Sequence, residues 1–167
     1  SFTPSNKKFS VHQYSFTPNE SKEESFSKAK WQNDYVTVNG DAIEFELGGH
    51  FSDSLIHLKA LSLDGFNVDV SRDKRLPFEY GVEKLMPTQL IKRIPIPVSI
   101  EQINLNDGNI NYHEFSLATN RWVLIPFSKM NGSISTITNQ PQTFDSLVVN
   151  LQSNLLDGKI DRFRYAE

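Results

Sequence analysis

Val98-Ser99-Ile100-Glu101-Gln102-Ile103-Asn104-Leu105-Asn106-Asp107-Gly108-Asn109-Ile110-Asn111-Tyr112-His113-Glu114 is the stretch whose reading decides the fold. Apolar residues alternate up to Leu105, an Asp-Gly pair interrupts them, and alternation resumes at Ile110. Period-two alternation predicts strands with one wet and one dry face. A glycine after Asn or Asp supplies the positive φ of a tight hairpin turn or bulge. The phrase returns around Gly40, Gly65, Gly132 and Gly158, so five of the eight glycines stand in the same setting. The chain therefore reads as repeated β-hairpins.

Working outward, Lys7 to Phe16 alternates as a first strand, and Pro18 to Ser27 reads as a polar loop or mobile hairpin tip. Leu90, Ile91 and Ile94 share one face of a short helix predicted near 87–94, entered through Pro87 and stopped by Pro95-Ile96-Pro97. After it, Val98 and Ile100 fall out of phase with Ile103 and Leu105, which predicts a β-bulge near Gln102. The expectation is mainly β: an antiparallel curved sheet or sandwich of about eleven or twelve strands, with one short helix. Residues 1–167 form a single β-rich domain, readable as two degenerate repeats, about 1–80 and 95–167, joined by the helical and proline-rich segment.

Composition limits the function. Twenty acids against seventeen Lys and Arg give a net charge of −3. The longest basic cluster is Arg72-Asp73-Lys74-Arg75, far from the stripe that nucleic acid requires. No apolar run approaches the roughly 18 residues that span a bilayer as a helix. Cysteine is absent, which removes disulfides and thiolate metal sites. His12, His50, His57 and His113 have no partner at metal-ligand spacing, and Asp69, Asp73 and Asp107 are explained by strand alternation and turns. No nucleophile elbow or phosphate loop is present, so no enzyme, metal or cofactor is expected. Arg72, Lys74 and Arg75 are the candidates for meeting anionic headgroups or a partner loop.

The stretch from Val98 to Glu114 resembles the recurring segment of AsmA-like proteins, in which a strand leads through a D-G turn into I-x-Y-x-E. Ile125-Pro126-Phe127, Met130-Asn131-Gly132-Ser133-Ile134, the Leu147 to Leu151 strand and Leu155-Leu156-Asp157-Gly158-Lys159-Ile160 continue it. Leu58 to Val70 with Arg72 to Leu76 resembles the preceding segment, so the likeness covers most of 55–167. The resemblance implies a periplasmic envelope protein, held at the inner membrane by an anchor outside this chain. It also implies a long curved sheet whose concave apolar face carries phospholipid acyl chains, with roles in outer-membrane biogenesis and lipid transport and no catalytic residues.

The physical reading of the residues stands beside it. A sheet with one apolar face must cover that face with another layer or with a ligand. The candidates for lipid-facing or core positions are Ile103, Leu105, Ile110, Tyr112, Ile134, Leu147, Val149 and Leu151. The other reading is an extracellular β-sandwich module for adhesion or glycan binding, with Trp31, Tyr35 and Trp122 as its aromatic platform.

Overall fold

Long strands form because Val, Ile, Leu and Phe alternate with Asn, Ser and Asp over nearly every stretch of this chain. The computed structural model describes residues 8–48, 55–81, 93–139, 147–152 and 157–163. Within them run β1 (Lys8–Phe16), α1 (Lys22–Lys28), β2 (Asp34–Leu47), β3 (Ile56–Asp64) and β4 (Asn67–Arg72). They are followed by β5 (Val98–Ser116), β6 (Arg121–Thr138), β7 (Leu147–Gln152) and β8 (Asp157–Phe163). The protein is mainly β, and all eight strands belong to one sheet, in the order β1-β2-β3-β5-β6-β7-β8, with β4 paired to β2 and β5.

The glycine phrases do not turn the chain back. Gly40 lies inside β2, Gly108 inside β5, Gly132 inside β6 and Gly158 inside β8. Gly65 separates β3 from β4, which are collinear: both pair parallel with β5 at one unchanging offset, from Ile56 opposite Val98 to Arg72 opposite Glu114. The expected hairpins are thus fused into eight longer strands. The sheet is mixed because β5 runs parallel to β3 and β4, while the other pairings are antiparallel.

What the phrases build is a crease. Gln13 (φ 54), Gly65 (φ 57), Asp107 (φ 48) and Lys129 (φ 53) are left-handed. The register sets them in one line across β1, the β3–β4 junction, β5 and β6. Pairing continues past each of them, so a single left-handed residue here bends its strand as a bulge does, without reversing it. Each also resets the alternation by one residue. Leu61 and Leu63 before the crease therefore share a face with Phe66, Val68 and Val70 beyond it, as Ile103 and Leu105 do with Ile110 and Tyr112.

The expected bulge near Gln102 is not found. Ile100 opposes Ile137 and Gln102 opposes Ser135 without a shift, and the shifts in β5 fall between Leu105 and Ile110. Unbroken alternation puts Leu58, Ile100 and Ile137 on the opposite face from Ile103, so the phase slip marks a second apolar patch. Val98 and Ile137 are buried there.

Pro18 to Ser27 is not all loop, because α1 occupies its second half. Ser21 caps it, accepting from the Glu24 N–H at 3.2 Å while the Glu24 carboxylate takes the Ser21 N–H at 3.0 Å. Those two bonds satisfy donors that a helix start leaves open. Phe26 anchors the helix on the sheet, buried and stacked 6.1 Å from Trp122. The helix expected near 87–94 lies almost wholly outside the described residues; Arg93 is in a turn.

On the polar face the crease is stitched by side-chain amides. The Lys129 N–H donates to Asn109 Oδ1 (3.3 Å), Asn109 Nδ2 to Asn67 Oδ1 (2.9 Å), and Asn67 Nδ2 to Asn39 Oδ1 (3.3 Å). Asn109→Ala removes the middle link and leaves two neighbours without it. The expected loss is about 1–2 kcal/mol, read as a lower urea midpoint; an unchanged midpoint would show that water replaces the stitch.

Candidate lipid-facing surface

Residues opposed in register share a face, so the pairings define apolar rows crossing the whole sheet. One row runs Phe9, Phe45, Leu61, Ile103, Ile134, and continues at the backbone positions of Val149 and Ile160. A second, beyond the crease, runs Phe16, Val38, Val68, Ile110, Phe127, and a third Val36, Val70, Tyr112, Ile125. Leu105 stands between the first two, in register with Ile43 through Leu63.

Five of the sequence candidates, Ile103, Leu105, Ile110, Tyr112 and Ile134, are brought together on this face, each half-buried. Leu147, Val149 and Leu151 lie on β7, with Val149 opposite Ile134 and Leu151 opposite Gly132; their side chains fall outside the description. Phe9, Phe45, Leu61, Leu63, Val68 and Val70, from the first half, complete the surface. Their signal was the same alternation, read there only as hairpin strands. Among the described residues no large side chain is fully buried, and every described strand lies in the one sheet.

The Tyr112 hydroxyl is the polar exception, donating to Glu114 Oε2 at 3.0 Å. Burial, with the Glu114 carboxylate behind it, raises the phenol above its ordinary pKa, so it stays neutral and keeps donating.

The three cations proposed for headgroups are each held by a carboxylate. Arg72 grips Asp34 through Nε and Nη2, both at 2.6 Å. Lys74 meets Glu114 at 2.7 Å, and Arg75 meets Asp73 at 2.6 Å while its guanidinium lies 4.2 Å over the Phe115 ring. The first two pairs fasten β4 and the turn after it to β2 and β5, the third closes the turn on itself, and together they leave little unbalanced charge there. A cleft of about 390 Å³ opens between α1 and this turn, but its charged residues, Lys22, Glu23, Asp73 and Arg75, balance one another. Among the described residues no group of three or more His, Asp or Glu could hold a metal ion.

No family model, no curated protein and no solved structure matches the chain.

Proposed function

We propose that this chain is a non-enzymatic segment of an AsmA-like envelope protein that holds phospholipid acyl chains on its apolar face. In this reading it is part of a longer periplasmic bridge, anchored at the inner membrane by a segment outside these residues, and serves outer-membrane biogenesis. One observation carries the reading: apolar rows cross the single sheet from β1 to β6 on one face, and the residues in them are half-buried or exposed rather than enclosed. An acyl chain laid along such a face gains roughly 0.8 kcal/mol per buried CH₂. The rows hold almost no polar group to fix a headgroup, so selectivity among phospholipids should be low.

The adhesion or glycan-binding alternative has no observation in its favour, since its aromatic candidates are engaged one by one. Trp122 packs against Phe26 and Phe115, the Tyr35 hydroxyl donates to the Glu20 carbonyl, and Trp31 lies under Lys30.

Extraction of a fluorescent phospholipid from vesicles tests the proposal. The wild type should extract it, and Ile103→Asp should stay folded yet lose extraction about tenfold or more, because the carboxylate meets the chain at mid-row. If Ile103→Asp unfolds instead, the face is a closed core. A folded wild type that extracts nothing rejects the reading.

A further inference from the structure

Beyond the crease, β6 has no outer neighbour among the described strands, because β7 pairs only with Asn131 to Ser135. That free edge carries Trp122-Val123-Leu124-Ile125, apolar on both faces of the strand. They are 41%, 40%, 50% and 42% exposed, and Leu117 in the β5–β6 turn is 66% exposed. Alternation would have made every second one polar had the edge served one face alone.

An apolar edge invites another strand, but Pro126 opposes that. It pairs with Asn111 and has no N–H to give, so its nitrogen faces the open side, where an added strand would find no donor. The electrostatics suggest a different occupant. From Phe115 to Phe144 there is no acidic residue, while Arg121 and Lys129 are both present. Among the described residues neither is in an ion pair.

We propose that this end of the sheet, the β5–β6 turn with the free edge of β6, docks on an anionic lipid bilayer. Leu117 and Leu124 enter the acyl boundary, Trp122 lies at headgroup depth, and Arg121 and Lys129 face the phosphates. The docking stands independently of acyl-chain carriage on the apolar face: a protein that docks and extracts nothing overturns only the latter.

Flotation of the whole chain with phosphatidylcholine vesicles, with and without phosphatidylglycerol, tests it. Binding should require phosphatidylglycerol and weaken with salt. Leu117→Asp and Leu124→Asp should each weaken it about tenfold or more, and Arg121→Glu about tenfold, with thermal melts confirming that the variants fold. A wild type that does not float, or variants that float as it does, overturns the proposal. So does a dimer in sedimentation that Leu124→Asp splits, which would assign the patch to a second copy.

Discussion

Gly108→Val is expected to lower stability by at least about 2 kcal/mol, and to unfold the sheet if its margin is smaller. A Cβ at this position would fall within the Phe66 ring, which lies flat over the glycine and is buried. The Phe66 backbone cannot retreat, since its carbonyl accepts the Asn109 N–H at 2.7 Å and the preceding Gly65 N–H is held by Asn106 at 3.0 Å. Only the ring can move, and moving it exposes an aromatic face that now closes the crease. Urea melts of Gly108→Val, Phe66→Ala and the double variant would show the coupling. The double variant should cost clearly less than the two together, because removing the ring clears the space. A simple sum would show that the ring is not the obstacle.

Asp73→Ala is expected to cost about 2 kcal/mol at neutral pH. The buried carboxylate accepts from the Arg75 backbone N–H at 2.9 Å, from Nε at 2.9 and 3.1 Å, and from Nη2 at 2.6 Å. The Arg75 side chain, outweighing burial and aided by the backbone N–H, holds the carboxyl below its ordinary pKa. A depressed carboxylate contributes stability above the ordinary value and loses it as pH falls through the depressed one. The gap between wild type and Asp73→Ala should thus be steady near neutrality and close below about pH 4. Glu114, held low chiefly by Lys74 and also by the Tyr112 hydroxyl, shifts in the same direction but is present in both proteins and cancels. A gap that persists to the lowest pH would assign the effect to packing rather than charge.

Strand character was legible because alternation is local, and β1 and the Leu147 strand lie close to where it puts them. The crease was not, because Asn-Gly and Asp-Gly supply positive φ equally to a turn and to a bulge. Which one forms depends on whether a partner continues past the glycine, and β5 lies well away in sequence from β3 and β4. The capping box of α1 was readable in Ser21 and Glu24 but stands in a stretch dominated by its polar composition. The apolar candidates were legible for the same reason as the strands. The engagement of Arg72 and Lys74 was not, since Asp34 and Glu114 arrive from distant strands.

The constant offset of β3 and β4 against β5 has a consequence for folding. Two parallel strands of nearly the same pattern, Leu61-Ser62-Leu63-Asp64 beside Ile103-Asn104-Leu105-Asn106, could slide by two residues and still bury the same face. Alternation alone cannot detect that error. The left-handed residues can, because after a slip Gly65 would no longer stand beside Asp107, and Phe66 would meet Ile110 or Asn106 instead of the hollow at Gly108. The crease thus works as a keyway: it admits one alignment of two look-alike strands and makes the near-misses costly.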